Sequence, residues 1–233
     1  MIHVTTGAQL EGLKREIVRD IYAKRMILTS VRDRPEGWIL HSGQSSPFYI
    51  QLRLLSSHPS TLGKVGEALA IMLREEAADV NRLVGVAFAG VPIATAASLA
   101  SGLPAVHTRK ILGVRSEAEL KDAIAKYGQH SLIEGEIEDG DTLCLVDDLV
   151  TGMESKVVAR NQVLEELKKR GLQGCSCDHI AVVIDRHQGA IVRARELNLH
   201  LHVLVDLVEE GLPMLRNEMS EEEYLVISDY LIG

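Results

Sequence analysis

Residues 143–155 read Leu143-Cys-Leu-Val-Asp147-Asp148-Leu-Val-Thr151-Gly152-Met-Glu-Ser155. An apolar run typical of a buried strand ends in two adjacent carboxylates and a Thr-Gly turn. Residues 155–170 then show the apolar spacing of an amphipathic helix, which has a basic end at 168–170 and Gly171 behind it. A strand that delivers charge to a turn before a helix indicates a binding site at the helix entrance.

The entrance of this helix suits an anion, because its backbone N–H groups lack partners and the helix dipole is positive there. Thr151 and Ser155 add hydroxyl donors. Asp147 and Asp148 repel a phosphate but can accept hydrogen bonds from sugar hydroxyls beside it. The pattern therefore favours a sugar phosphate. The alternative is that an aspartate caps the helix and the segment binds nothing.

Composition and charge limit the classes of function. The chain has 233 residues and a net charge of −8, which argues against a nucleic-acid partner or a membrane surface. Local cations must therefore hold any anionic substrate. Three cysteines and the lack of an N-terminal apolar signal predict a reducing, cytoplasmic setting. The sequence contains no uncharged apolar run long enough to predict a membrane span.

Cys175, Cys177 and His179 would share one face of an extended segment, where they could hold a metal. Zinc sites usually place about two to four residues between their cysteines and need a fourth ligand. The spacing therefore favours a loop that enters a strand, and no protein metal site is predicted.

From residue 61 onward the chain alternates helix and strand, which predicts an α/β fold with a mostly parallel sheet and helices on both faces. Ligands of such sheets bind beyond the carboxyl ends of the strands, where the acidic pair emerges. Helices are predicted at 62–77, 92–101, 155–170 and 188–197, and strands at 83–88, 104–108, 142–146, 179–184 and 200–205.

The remaining segments complete a single predicted domain over residues 1–233. A helix capped at Thr6 and an antiparallel hairpin of strands 38–40 and 48–52 form an N-terminal hood. A capping box from Ser220 to Glu223 opens a C-terminal helix. The boundaries are 1–60 for the N-terminal helix and hood, 61–210 for the core, 111–134 for an insert and 211–233 for the C-terminal helix.

The insert at 111–134 contains a possible capping box, Ser116 with Glu119, which predicts a short helix within a long crossover. A helix this short is marginal unless it is packed. The insert is thus either a mobile lid or an ordinary packed segment, and the sequence favours neither.

Further segments follow one another in a specific order. They are Leu40-His-Ser-Gly-Gln-Ser-Ser-Pro-Phe-Tyr-Ile50, Gly85-Val-Ala-Phe-Ala-Gly-Val-Pro-Ile-Ala-Thr95, the pair Arg109-Lys110, Tyr127-Gly128 through Leu132-Ile-Glu-Gly135, and Ile184-Asp-Arg-His-Gln-Gly189. Together with the acidic motif they resemble the orotate phosphoribosyltransferases of the type I phosphoribosyltransferase fold. The resemblance covers residues 26–207, which is most of the chain.

The resemblance implies a reaction in which orotate displaces pyrophosphate from 5-phosphoribosyl 1-pyrophosphate (PRPP) and gives orotidine 5′-monophosphate. It implies Mg²⁺ as cofactor, bound through PRPP with Asp147 and Asp148 nearby rather than by protein ligands alone. It also implies a homodimer, in which the extended catalytic lid of one subunit reaches the site of the other.

The resemblance further implies roles for individual residues. Asp147 and Asp148 would hold the ribose hydroxyls, the loop 151–155 would wrap the 5-phosphate, and Arg109 with Lys110 would meet the pyrophosphate. Such cations suit a leaving group that becomes electron-rich as its bond breaks.

At the orotate end, the resemblance implies that Arg186 pairs with the orotate carboxylate and that Phe48 and Tyr49 pack near the ring. Arginine can bind a planar carboxylate through two parallel hydrogen bonds. For Arg186 the alternative is a salt bridge to Asp185 or to a nearby helix end, and for Phe48 and Tyr49 it is a place in the core.

The chain departs from the family in its catalytic loop, because 16 residues separate Lys110 from Tyr127. Ala125 stands where the family has a lysine, and Lys126, Lys121 or His130 could substitute for it; if none reaches the site, turnover would fall. We expect Lys126, Lys121 and Asp148 to serve catalysis.

Two other departures lie in the substrate loops. Ala89 replaces a frequent lysine, and Met153 and Glu154 bring bulk and negative charge to the phosphate loop. Met153, Glu154 and Ala125 leave open an alternative function: a PRPP-binding protein that uses another acceptor base or has a regulatory, weakly catalytic role.

Overall fold

The computed structural model describes residues 2–40, 43–111, 113–114, 116–127 and 130–232, with the backbone alone at 2–5, 117 and 125–127. The strands are β1 (Ile27–Thr29), β2 (Trp38–Ile39), β3 (Ser45–Ser46), β4 (Phe48–Ile50), β5 (Arg82–Gly85), β6 (Ala105–Thr108), β7 (Ile133–Glu134), β8 (Thr142–Val150), β9 (Ser176–Asp185) and β10 (His200–Asp206). The α-helices are α1 (Ile2–Ala23), α2 (Pro59–Glu76), α3 (Gly90–Ser101), α4 (Glu117–Tyr127), α5 (Glu154–Arg170), α6 (Ala190–Glu196), α7 (Leu212–Leu215) and α8 (Glu221–Ile232). A 3₁₀-helix spans Leu52–Ser57 and a π-helix spans Leu207–Gly211.

The six-stranded sheet has the order β10-β9-β8-β5-β6-β7. Its first five strands are parallel, and β7 pairs antiparallel with β6 at the edge. The predicted α/β fold with a mostly parallel sheet is therefore confirmed. Strand β7 was not predicted, because two residues are too few to show an alternating pattern.

Helices cover both faces of the sheet, as predicted. Cys144 and Val146 belong to one hydrophobic cluster, with side chains of α1, α2 and α3. Leu143 and Leu145 belong to a second cluster, with side chains of α5 and α6. This follows from the strand itself, because successive side chains point to opposite faces.

The predicted hairpin in the hood is wrong. Strand β2 pairs with β3, whereas β4 pairs antiparallel with β1. Burial explains the difference: Phe48 and Ile50 in β4 are buried and lie opposite the equally buried β1, whereas Ile39 in β2 is 74% exposed.

Of the two helix starts predicted from capping patterns at the chain ends, one is wrong and one is confirmed. Helix α1 begins at Ile2, so Thr6 lies inside the helix and its predicted role as the cap is wrong. At α8 the capping box is confirmed, because Glu223 N donates to Ser220 Oγ (3.2 Å) and Ser220 N donates to Glu223 Oε2 (3.3 Å). Glu223 also accepts from Tyr22 Oη and Thr29 Oγ1, which joins α8 to α1 and β1.

None of the helices in the described part of the chain is long and apolar enough to cross a bilayer.

The contact between α2 and α3 generates a stability prediction. A Cβ atom at Gly66 would lie 2.5 Å from the backbone carbon of Ala96, whereas one at Gly63 would meet nothing within 4 Å. Gly66→Ala should therefore destabilise the protein by about 1–3 kcal/mol through overpacking. Gly63→Ala, three positions earlier on the same helix, should stabilise it by about 0.5–1 kcal/mol. Urea unfolding measures both, and equal effects would contradict the close packing at Gly66.

Candidate functional site

The acidic pair lies near the carboxyl end of β8. This strand continues to Val150, whereas the sequence pattern predicts that it ends at residue 146. Asp147 is buried, and its Oδ2 accepts a hydrogen bond of 2.6 Å from Lys156 Nζ. The Lys156 side chain is only 4% exposed. A buried ion pair therefore neutralises the first of the two carboxylates.

Lys156 was not recognised from the sequence as a site residue. It lies in the first turn of α5 on the same face as the buried Ala159 and Val163. This helical spacing was the available signal, because a lysine on the apolar face of a helix needs a partner for its charge.

Asp148 is the half-buried carboxylate of the pair and forms no ion pair with any described residue. Burial, and then the negative charge of Asp147, raise the pKa of Asp148 to about 6. The site therefore holds one carboxylate that is fixed by a lysine and one whose protonation depends on the charges placed near it.

The loop between β8 and α5 has the features of an anion site. Helix α5 begins without a side-chain cap, so the alternative that an aspartate caps it is wrong. Met153 is 1% exposed and belongs to the cluster beneath the loop, so its bulk points away from the open side. Glu154, by contrast, folds back over the loop, with its Cδ 3.1 Å from where a Cβ of Gly152 would lie.

The loop 86–90 packs directly against the end of β8. A Cβ at Gly90 would overlap the backbone carbonyl oxygen of Val146 and lie 3.1 Å from the Cα of Asp147, so only glycine fits at this contact. Ala87 N donates to Thr108 Oγ1 (2.9 Å), which ties the loop to β6. The loop thus lies between the acidic strand end and the residues that follow β6.

A cavity of about 810 Å³ opens beside this loop at the carboxyl ends of β5 and β6. Arg109 and Lys110 line it, as their position after β6 predicts. Arg109 Nε forms an ion pair with Glu134 Oε1, while Lys110 is exposed. The other lining residues are Arg53, Ser56, Ala87, Phe88, Ala89, Val91, Pro92, His107, Thr108 and Glu134.

Arg186 follows β9, and its backbone N donates to Val150 O (3.0 Å) beside the end of β8. The residue is 6% exposed, and within the described chain its Nε and Nη2 atoms have no hydrogen-bond partner. The alternative of a salt bridge to Asp185 is wrong, because Asp185 instead accepts from His187 N. Burial lowers the pKa of Arg186, so an anion placed against it would relieve a real cost.

The two predicted aromatic residues have separate positions. Phe48 is fully buried, with its ring centroid 4.5 Å from the Arg186 guanidinium carbon, so it supports the arginine from the core side. Tyr49 is partly exposed, stacks on Trp38 at 6.1 Å, and its hydroxyl accepts from Arg53 Nη2 (3.0 Å).

The 111–134 insert is packed on its own chain in this structure. Helix α4 buries Leu120 against Ile111 and Leu132. Gln162 of α5 donates to the carbonyl oxygens of Arg109 and Leu132, so one side chain holds both ends of the insert. Lys121 is exposed on α4, whereas the Lys126 side chain lies outside the described residues.

The Cys-x-Cys-x-His cluster lies at the amino end of β9, away from the other candidate residues. Cys177 and His179 are buried, and His179 Nδ1 lies 3.0 Å from His202 Nε2. The described residues contain no group of three side chains suited to a metal. The interpretation of a loop that enters a strand agrees with this placement.

Comparisons with known proteins all indicate the same family. An orotate phosphoribosyltransferase of Methanocaldococcus jannaschii is 33% identical over 172 residues, which cover 74% of this chain and 85% of that protein. One of Caenorhabditis elegans is 34% identical over 191 residues, which cover 81% of this chain and 75% of that protein. No protein-family model matches the chain.

Solved structures show the same fold. UMP synthase of Leishmania donovani superposes with a TM-score of 0.72 at 27% identity, covering 95% of this chain but 42% of that chain. Orotate phosphoribosyltransferase of Aeropyrum pernix superposes with a TM-score of 0.61 at 20% identity, covering 87% and 98% of the two chains.

The electrostatics of the acidic pair predict a pH-dependent stability. The raised folded-state pKa of Asp148 means that its contribution to stability is present below about pH 4 and is lost as the pH rises through about 6. Asp148→Asn should therefore match the wild type at about pH 4 and be more stable at about pH 7.5, by on the order of 2 kcal/mol. Urea unfolding at the two pH values measures this.

The matched control is Asp147→Asn, which weakens the pairing of buried Lys156 and should destabilise the protein at neutral pH. An equal gain from Asp148→Asn at both pH values would contradict the raised pKa.

Proposed function

Because the chain belongs to the orotate phosphoribosyltransferase family, we propose that it transfers the 5-phosphoribosyl group of PRPP to orotate. The products are orotidine 5′-monophosphate and pyrophosphate, and the reaction serves de novo UMP biosynthesis. The observation that carries the proposal is the buried guanidinium of Arg186, two of whose nitrogens lack partners within the described chain.

Arg186 is proposed to bind the orotate carboxylate. A buried, unpartnered guanidinium is costly, and a planar carboxylate can satisfy it through two parallel charge-assisted hydrogen bonds. A purine has no carboxylate, so Arg186 favours orotate over a purine as acceptor. Phe48 fixes the guanidinium from below, and the partly exposed Tyr49 is the aromatic residue available to the orotate ring.

The ribose 5-phosphate part of PRPP is proposed to lie over the end of β8. Asp147 and Asp148 would face the ribose hydroxyls, with Asp147 held by Lys156 and Asp148 the better acceptor. Thr151, Gly152 and Ser155 would wrap the 5-phosphate at the uncapped start of α5. Glu154 must then turn away from Gly152, because two anions cannot share the loop.

The pyrophosphate is proposed to lie toward the cavity lined by Arg109 and Lys110. As orotate attacks the anomeric carbon, the bond to pyrophosphate breaks, and these cations stabilise the negative charge that develops on it. When bound, Mg²⁺ would neutralise part of the negative charge of the pyrophosphate. The oxygen donors at the end of β8 fit this ion, which commonly keeps several waters and substrate oxygens as ligands.

Three further parts of the proposal concern the lid, the assembly and the location. Lys121 and Lys126 on α4 are the proposed catalytic lysines of the lid, acting on the leaving group with Asp148 at the ribose. A homodimer is proposed, because the exposed Phe88 and Leu54 offer apolar surface near the cavity. A cytoplasmic location is supported by three cysteines that are all unpaired.

The test of function is the loss of orotate absorbance with PRPP and Mg²⁺, compared with Arg186→Gln. Wild-type protein should turn over, whereas Arg186→Gln should raise KM for orotate at least tenfold, since charged hydrogen bonds contribute about 1.5–3 kcal/mol each. PRPP binding by calorimetry should be unchanged in the variant. Wild-type binding of PRPP without turnover would overturn the proposed reaction, and a loss of PRPP binding in the variant would overturn the role of Arg186.

The lid generates a kinetic prediction. The double variant Lys121→Ala/Lys126→Ala should lower kcat about tenfold or more, with little change in KM for orotate, because the lysines act in the transition state. Lys168→Ala, an exposed lysine at the far end of α5, is the control. An unchanged kcat in the double variant would contradict catalysis by these lysines.

A further inference from the structure

The loop 86–90 faces the cavity proposed for pyrophosphate but brings no positive charge to it. It reads Val-Ala-Phe-Ala-Gly, so its side chains carry neither a cation nor a hydrogen-bond donor. The cavity wall on this side is therefore apolar, with Ala87, Phe88 and Ala89 as lining residues. A leaving group with several negative charges needs a cation from another part of the chain.

The two cations that follow β6, Arg109 and Lys110, are only partly available to bind an anion in the cavity. Arg109 is already paired with Glu134, which lines the same cavity. An arginine that keeps this partner offers less net positive charge to a ligand than an unpaired one. Lys110 remains, as an exposed point charge on a flexible stem.

Arg53 is the other cation in the cavity wall, and it comes from a separate element. It lies on the 3₁₀-helix that follows β4 and lines the same cavity as Ala89. Its Nη2 donates to the hydroxyl of Tyr49 at 3.0 Å, and it forms no ion pair within the described residues. A phenol hydroxyl does not neutralise the charge, so the other guanidinium donors remain available for an anion.

Tyr49 holds the position of Arg53. Its ring stacks on Trp38 with centroids 6.1 Å apart, so the hydroxyl is presented from a packed pair of rings. One hydrogen bond donated to a fixed acceptor lowers the entropy lost when a long side chain is ordered on a ligand. The guanidinium is thus partly preorganised in the wall of the cavity that Arg109 and Lys110 also line.

We infer that Arg53 is a further pyrophosphate-binding residue of this site, supplying the cation that the 86–90 loop lacks. The inference rests on the proposed function, because pyrophosphate is the leaving group of that reaction. It assigns the cavity a third cation that enters from the hood side, so that pyrophosphate is held between the hood and the residues that follow β6.

The experiment is the reverse reaction, in which orotidine 5′-monophosphate and magnesium pyrophosphate give PRPP and orotate. Arg53→Ala should raise KM for pyrophosphate about tenfold, which corresponds to about 1.4 kcal/mol, and should leave KM for orotidine 5′-monophosphate unchanged. Arg53→Lys should recover part of the loss, because it keeps the charge but not the fork of donors. Arg74→Ala is the matched control, since Arg74 is an exposed arginine in the last turn of α2 and does not line the cavity.

A calorimetric titration with magnesium pyrophosphate separates this inference from the proposed function. If the wild type shows no turnover, the proposed function fails, and weaker pyrophosphate binding by Arg53→Ala than by Arg74→Ala still supports the role of Arg53. If the wild type turns over and Arg53→Ala keeps its KM for pyrophosphate, the inference fails alone. An effect confined to KM for orotidine 5′-monophosphate would overturn it as well, since it would place Arg53 at the nucleotide instead of at pyrophosphate.

Discussion

The parallel pairing of β8 with β5 on one side and β9 on the other determines where the candidate residues lie. Gly85 lies opposite Val146, and Val150 lies opposite Asp185, so the chain leaves all three strands at one edge. The loop 86–90 follows β5, the acidic pair lies near the end of β8, and Arg186 follows β9, so residues far apart in sequence lie at the same edge. The contact of Gly90 with the end of β8 keeps the loop and the acidic pair in register.

Charge at this edge is balanced locally, although the whole chain is negative. Lys156 neutralises Asp147, and the pKa of Asp148 is raised to about 6, which is close to neutral pH. Arg186 is held without a partner among described residues, which a packed core tolerates only at a cost. Such unsatisfied groups are expected where a ligand completes the structure, and they contrast with the satisfied ion pair between Arg82 and Asp141 at the other end of β8.

Most of the core could be predicted from the sequence, because its helices and strands are long enough to show their periods. The predicted helix at 155–170 differs from α5 by one residue, and the predicted strand at 200–205 differs from β10 by one. The hood could not be predicted in this way. Its strands have two or three residues each, and their pairing depends on which of them buries Phe48 against α8.

The sequence by itself determined the alternation of helix and strand, the position of the acidic pair after an apolar run and the motifs that resemble the family. These are local properties, since periodicity and turn chemistry act over a few residues. Only the tertiary structure decided that Lys156 reaches Asp147, that Met153 turns into the core while Glu154 covers Gly152, and that Arg53 shares a cavity with Ala89. The physical reason is that burial and charge pairing depend on side chains brought together across the fold, which spacing along the chain does not specify.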